Sequence, residues 1–151
     1  MRRLFIVVAA LFAALTLAQA QATISPGNSA MEFQVKRALA QGDDVIIDLM
    51  VTCKSNQSIF QLFEQTSIYD DEGNLYTTDL FGAKIQFEFD GKQSTSFRFP
   101  IERGIQRKLR IIVHNVDEYA SAFSLIKISY MGDNSSFSGV LSIKNLPITR
   151  D

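Results

Sequence analysis

Tryptophan is missing from this chain of 151 residues, and cysteine and histidine occur once each, as Cys53 and His114. One cysteine excludes an intrachain disulfide, so stability has to come from packing. The same scarcity excludes the common metal and nucleophile motifs: there is no H-E-x-x-H, no C-x-x-C, no G-x-S-x-G elbow and no P-loop. Neither charge dominates, with 15 basic and 16 acidic residues. Without a basic field the chain offers nothing to hold nucleic acid. Only one long apolar run exists, Leu4 to Leu17, and no helical periodicity of ~10 residues follows it.

That run has a basic head, Arg2 and Arg3, and ends in Ala18-Gln19-Ala20. It reads as a secretory signal peptide over residues 1–20, too short for the roughly 20 apolar residues of a membrane anchor. Cys53 lies too far from the processing site to carry a lipid, so the expectation is a secreted or periplasmic chain with no membrane span after signal cleavage. Removing Arg2 and Arg3 leaves 13 basic against 16 acidic residues, a formal charge of −3. The remaining residues, 21–151, suit a single domain able to bury its own core.

The core material is aromatic and β-branched. Twelve phenylalanines, with many isoleucines, fall in short alternating runs separated by Gly, Asn, Asp and Ser. The most regular run is Asp44 to Cys53, where Val45, Ile47, Leu49, Val51 and Cys53 share one face. Leu109 to Val116 repeats the pattern, with Leu109, Ile111 and Val113 inward and Arg110 and His114 outward. Met31–Ala38, Lys84–Phe89, Ser96–Phe99, Phe123–Tyr130 and Phe137–Leu146 add further strands. Ile59–Tyr69 reads as loop into strand, because Phe60, Leu62 and Phe63 fit either period. Gly and Asn in Asp70-Asp71-Glu72-Gly73-Asn74 mark a hairpin. Asp90-Gly91 marks another, joining Lys84–Phe89 to Ser96–Phe99, and Pro100 confines the latter to an edge. The sum is an all-β chain: a two-sheet antiparallel sandwich of seven to eight strands.

Several segments occur in a familiar order: V-x-I-D-L-x-V-x-x-x-x-N across Val45 to Asn56, I-Y-D-D-E-G-N-L-Y, F-R-F-P-I, K-L-R-I-I-V and I-K-N-L-P-I at Ile143 to Ile148. The layout resembles immunoglobulin-like secreted bacterial domains of the DUF4352 type. The resemblance implies an immunoglobulin-like sandwich exported to the envelope and brings no catalytic residue with it. The chain lacks the Cys…Trp…Cys core of antibody domains.

Candidate chemistry is sparse. A Cys53–His114 pair would need both groups within hydrogen-bond reach, yet Cys53 shares the inward face of its strand while His114 points outward. Glu64, Asp70, Asp71, Glu88, Asp117 and Glu118 supply carboxylates, with nothing to select two at catalytic separation. The acidic run from Asp70 lacks the alternating ligands and closing Glu of a calcium loop, so it reads as a solvated turn. Asn56-Gln57-Ser58 and Asn134-Ser135-Ser136 are N-x-S sequons in loops. Tyr69, Tyr76 and Tyr119 lie near turns and form the candidate binding patch; the alternative is tyrosines finishing strands with a wet hydroxyl. No catalytic residue, metal ligand or cofactor is assigned. The expected role is a non-catalytic binding or structural module of the cell envelope with a protein or glycan partner, and the alternative is a small secreted hydrolase with an unrecognised site.

Overall fold

Alternation of buried and solvated residues generates most of the long strands of this protein. The computed structural model describes residues 21–150 apart from 57–58, 80–81 and 133–137, and excludes the side chains of residues 63 and 64. Residues 1–20, expected to form a signal peptide, and most of both sequons lie outside the described residues. Eleven strands follow one another: β1 (Thr23–Ser25), β2 (Met31–Gln41), β3 (Asp44–Cys53), β4 (Ile59–Asp70), β5 (Leu75–Thr77), β6 (Ile85–Phe89), β7 (Lys92–Ser94), β8 (Phe97–Pro100), β9 (Gln106–Val113), β10 (Ala122–Met131) and β11 (Ser138–Pro147). No helix occurs among the described residues.

The strands form two antiparallel sheets. The first runs β1-β11-β10-β4-β5, with β8 also on β4; the second runs β2-β3-β9-β6-β7. In immunoglobulin lettering the second sheet follows A-B-E-D through β2, β3, β9 and β6, and the first follows G-F-C-C′ through β11, β10, β4 and β5. The predicted sandwich is therefore the observed one.

The strand count rises from seven or eight to eleven because β1, β5 and β7 are three residues each, too short to show a period. One pairing is also corrected. Asp90 (φ 48°) and Gly91 (φ 75°) form a two-residue turn with positive φ at both positions, which pairs Phe89 with Lys92 at once. The hairpin partner of β6 is thus β7, and β8 crosses to the other sheet, where it pairs with Ile59–Leu62 of β4. Segment Ile59–Tyr69, expected to begin as a loop, is strand throughout; the mixed pattern coincides with a bulge in β4, where residues 63–65 lie opposite Ser129 alone, between the pairs Thr66–Ile128 and Leu62–Tyr130.

Between the sheets, Val45, Ile47, Leu49, Val51 and Cys53 are fully buried, as are Ile111, Val113, Phe123 and Ile126. Toward the Cys53 end the filling becomes aromatic. Phe60 lies 5.2 Å from Phe99 and 5.3 Å from Tyr130, Phe33 lies 5.3 Å from Tyr130, and Phe89 stacks on Phe99 at 4.0 Å, centroid to centroid. These rings come from β2, β4, β6, β8 and β10, so they link both sheets without a disulfide. Tyr130 turns its hydroxyl to the carbonyl of Pro26, and burial pushes its pKa up to about 12.

On the outer face of the second sheet, Asp48 is only 4 % exposed although it points away from the core. Arg37 of β2 covers it at 2.8 Å and Arg110 of β9 at 3.0 Å; Arg110 continues to Glu88 of β6 at 3.2 Å. Burial alone would raise the Asp48 pKa, but the bonds from Arg110 and Arg37 outweigh it and hold the carboxyl below its ordinary value.

Close backbone approach yields a stability test. A Cβ on Gly27 (φ 75°) would strike the Val140 backbone, 2.6 Å from N and 2.8 Å from C, whereas one on Gly42 (φ 63°) meets nothing within 4 Å. Gly42→Ala therefore costs only left-handed strain, about 1 kcal/mol, and Gly27→Ala a further ~1–3 kcal/mol for overpacking. Urea unfolding of both variants measures the difference; equal losses would mean that the approach of Gly27 to β11 is immaterial.

Candidate functional site

The turn between β4 and β5 and the loop between β9 and β10 meet at one end of the sandwich, and a buried carboxylate fastens them. Asp70, 3 % exposed, ends β4. Its Oδ1 accepts the backbone N–H of Asn74 at 2.8 Å and of Glu72 at 3.1 Å; its Oδ2 accepts Asn74 Nδ2 at 2.9 Å and the Tyr76 hydroxyl at 2.8 Å. Burial by itself raises this pKa, and the four donors more than offset it, leaving the group below its ordinary value.

From this hub the bonds pass to the second loop. Asn74 Nδ2 also reaches Asp117 at 3.2 Å, and the Asp117 N–H donates to the Tyr76 oxygen at 3.2 Å. Asp117 in turn accepts the N–H of Tyr119 at 2.9 Å. Asp71 accepts the N–H and hydroxyl of Ser121, while its own N–H donates to the Ala122 carbonyl. Arg150 closes the far side by donating to the carbonyls of Asp117 and Ala120.

Three apolar side chains stand out on this end. Tyr119 is 76 % exposed at the tip of its loop, and Leu75 and Tyr69 are 48 % and 38 % exposed. Tyr69 faces Leu75 across the hairpin and Leu125 on its other side, so the three form a stripe on the outer face of the first sheet. Leu75 was not among the residues singled out from the sequence. The signal for it is the turn itself, since folding the chain about Asp70–Asn74 sets Tyr69 against Leu75.

Of the three tyrosines proposed as a patch, Tyr76 does not belong to it. Its ring is 1 % exposed, packs edge-on against Phe123 at 6.3 Å and carries Lys84 Nζ 5.5 Å above its centroid. Its hydroxyl is bound by Asp70 and Asp117 rather than by solvent, and burial pushes its pKa up to about 12. A ring so enclosed cannot stack on a ligand, whereas Tyr69 and Tyr119 are open to one.

Cys53 and His114 are not brought together. Cys53 ends β3, with its Sγ against the carbonyl of Ser55 at 3.3 Å. His114 lies 3.0 Å from Asp44, which begins β3, and 3.2 Å from Gln86. Strand rise puts the two about 30 Å apart. Among the candidate carboxylates, Asp70 and Asp71 are taken by donors, Glu88 pairs with Arg110, and Asp117 is part of the loop network. Glu118 is exposed, and the side chain of Glu64 lies outside the described residues. The acidic turn is held by N–H and O–H donors directed at its oxygens, and among the described residues no three His, Cys, Asp or Glu side chains gather as a metal site. No described helix is long and apolar enough to cross a membrane.

Compared with known proteins, the chain matches no family model and no curated sequence.

The depressed Asp70 pKa fixes a pH dependence. A carboxylate with a lower pKa in the folded state stabilises above its unfolded value and loses that contribution as pH falls through the folded value. Stability should thus drop on acidification below about pH 4. Asp70→Asn should cost about 2–3 kcal/mol at neutral pH, for charge-assisted bonds lost, and flatten the acid limb. Thermal unfolding of both forms from pH 7 to pH 2.5 checks this; an unchanged acid slope in the variant would remove Asp70 from the role.

Proposed function

We propose that this protein is a non-catalytic binding module of the cell envelope, secreted or periplasmic, that engages a protein or glycan partner with the β4–β5 and β9–β10 loop end. The observation that supports it most is the contrast within that end. Tyr119, Leu75 and Tyr69 are open to solvent on a loop and two strand ends cross-braced by Asp70, Asp71, Asp117 and Arg150. Exposed aromatic and aliphatic side chains on a rigid frame bind with little ordering entropy to lose. The leader over residues 1–20 and the resemblance to exported immunoglobulin-like domains support the location. Asp70, Asp71 and Asp117 spend their oxygens on bracing these loops, which favours contact over turnover at this end.

The test is retention of envelope proteins and of an arrayed glycan panel on the immobilised protein, with Tyr119→Ala/Leu75→Ser alongside. Both substitutions are at exposed positions, so the melting temperature should hold within a few degrees. Retention of the bound species should fall by at least about tenfold, the effect of losing one or two central anchors. Equal retention by the variant, or no retained species at all, would overturn the reading.

A further inference from the structure

Away from the loop end, β2 is the outer strand of its sheet, and the tail after β11 covers part of it. Ala40 N–H donates to the Thr149 carbonyl and Thr149 N–H to the Ala38 carbonyl, both at 2.9 Å. The backbone groups of Ala38 and Ala40 hence point away from β3. Ala38 and Ala40 lie opposite Ile47 and Val45 of β3, and Val35 and Phe33 lie opposite Leu49 and Val51, positions of the same parity, with Lys36 as the inserted residue of a bulge. The N–H and C=O of Phe33 and Val35 consequently face the open side as well. There the edge borders a groove of about 740 Å³.

This open stretch has two ends. Thr149 closes it beyond Arg37, and at the other end Met31 N–H turns back to the Asn28 carbonyl. Its midpoint is Gln34, and its outward side chains are Glu32, Gln34 and Lys36, all exposed. Inverting the segment about Gln34 brings Glu32 opposite Lys36 and Phe33 opposite Val35. The segment is its own antiparallel complement in charge, in apolar pairing and in hydrogen-bond direction.

We propose that β2 pairs with β2 of a second copy of this chain about a two-fold axis at Gln34, joining the two five-stranded sheets into one continuous sheet of ten strands. Phe33 and Val35 of the two copies exchange backbone bonds, and Glu32 of each copy meets Lys36 of the other. Among the described residues Lys36 has no ion pair, and Glu32 has only Lys54 at 3.0 Å, both more than half exposed, a pairing of little energetic weight. Charges and a bulge on an edge deter indiscriminate strand addition. Here the same charges admit a copy inverted on itself, because symmetry turns each of them toward its opposite.

Sedimentation over a wide concentration range measures the association. The protein should form a reversible dimer, and Glu32→Lys and Lys36→Glu should each weaken it at least about tenfold, because each places two like-charged pairs across the axis. An equimolar mixture of the two variants should dimerise again, since every cross-axis pair is then of opposite sign. Circular dichroism of each variant verifies that the fold persists. A monomer at all concentrations, a dimer indifferent to the single reversals, or a mixture no better than its components would overturn the proposal; indifference would shift the contact to another face, such as the Tyr69 and Leu75 stripe.

Discussion

The two sheets of this protein are held face to face chiefly by the fit of side chains. One cysteine cannot bridge them, and no tryptophan fills the space where β3 passes β10. Aliphatic residues of β3, β9, β10 and β11 occupy one part of the interior, and six aromatic rings occupy the other. A large ring buries more apolar area per ordered torsion than a chain of methylenes, so aromatics are an economical substitute for a covalent tie. Tyr130 illustrates the demands of that solution. Its ring touches Phe33 and Phe60, its hydroxyl reaches the carbonyl just after β1, and only glycine at position 139 leaves it room, since a Cβ there would lie 2.6 Å from its Cζ.

Two carboxylates outside this interior are buried nonetheless, and each organises its surroundings differently. Asp48 draws cations from both flanking strands and lies at the centre of a charge row across the second sheet. Asp70 draws neutral donors and so fixes loops rather than strands. A buried carboxylate is tolerated only when its lone pairs are satisfied. At Asp70 that requirement is met within seven residues of chain, and Asn74 and Tyr76 carry the hold on to the Asp117 loop, which is why an acidic sequence that looks solvated is a rigid joint.

Much of this was legible in the residues. The alternation of Asp44–Cys53, Leu109–Val113 and Phe123–Tyr130 predicts most of their inner faces, and Cys53 and His114 fall inward and outward as their parity requires; Phe123 is buried out of phase with Ile126 because the register shifts between Phe123 and Leu125. The three short strands were not legible, because three residues cannot display a period. Nor was the true partner of β6: the turn at Asp90-Gly91 is visible, but only the positive φ at both residues decides that pairing begins at Lys92. The enclosure of Tyr76 depends on Asp70 and Asp117 arriving from positions 6 and 41 residues away, a convergence that no local pattern encodes. Asp48 is similar, a polar residue on the solvent parity that is buried by arginines 11 and 62 residues distant.

The departure of β8 from the sheet of β6 and β7 constrains more than local geometry. The chain visits the second sheet in β6 and β7, returns to the first in β8, and goes back in β9, so neither sheet is assembled from one continuous piece of sequence. Neither can persist as a separate cooperative unit while the other melts. Pulling β8 from β4 exposes Phe99, which stacks on Phe89 of the opposite sheet, and a disturbance on one layer is felt at once in the other.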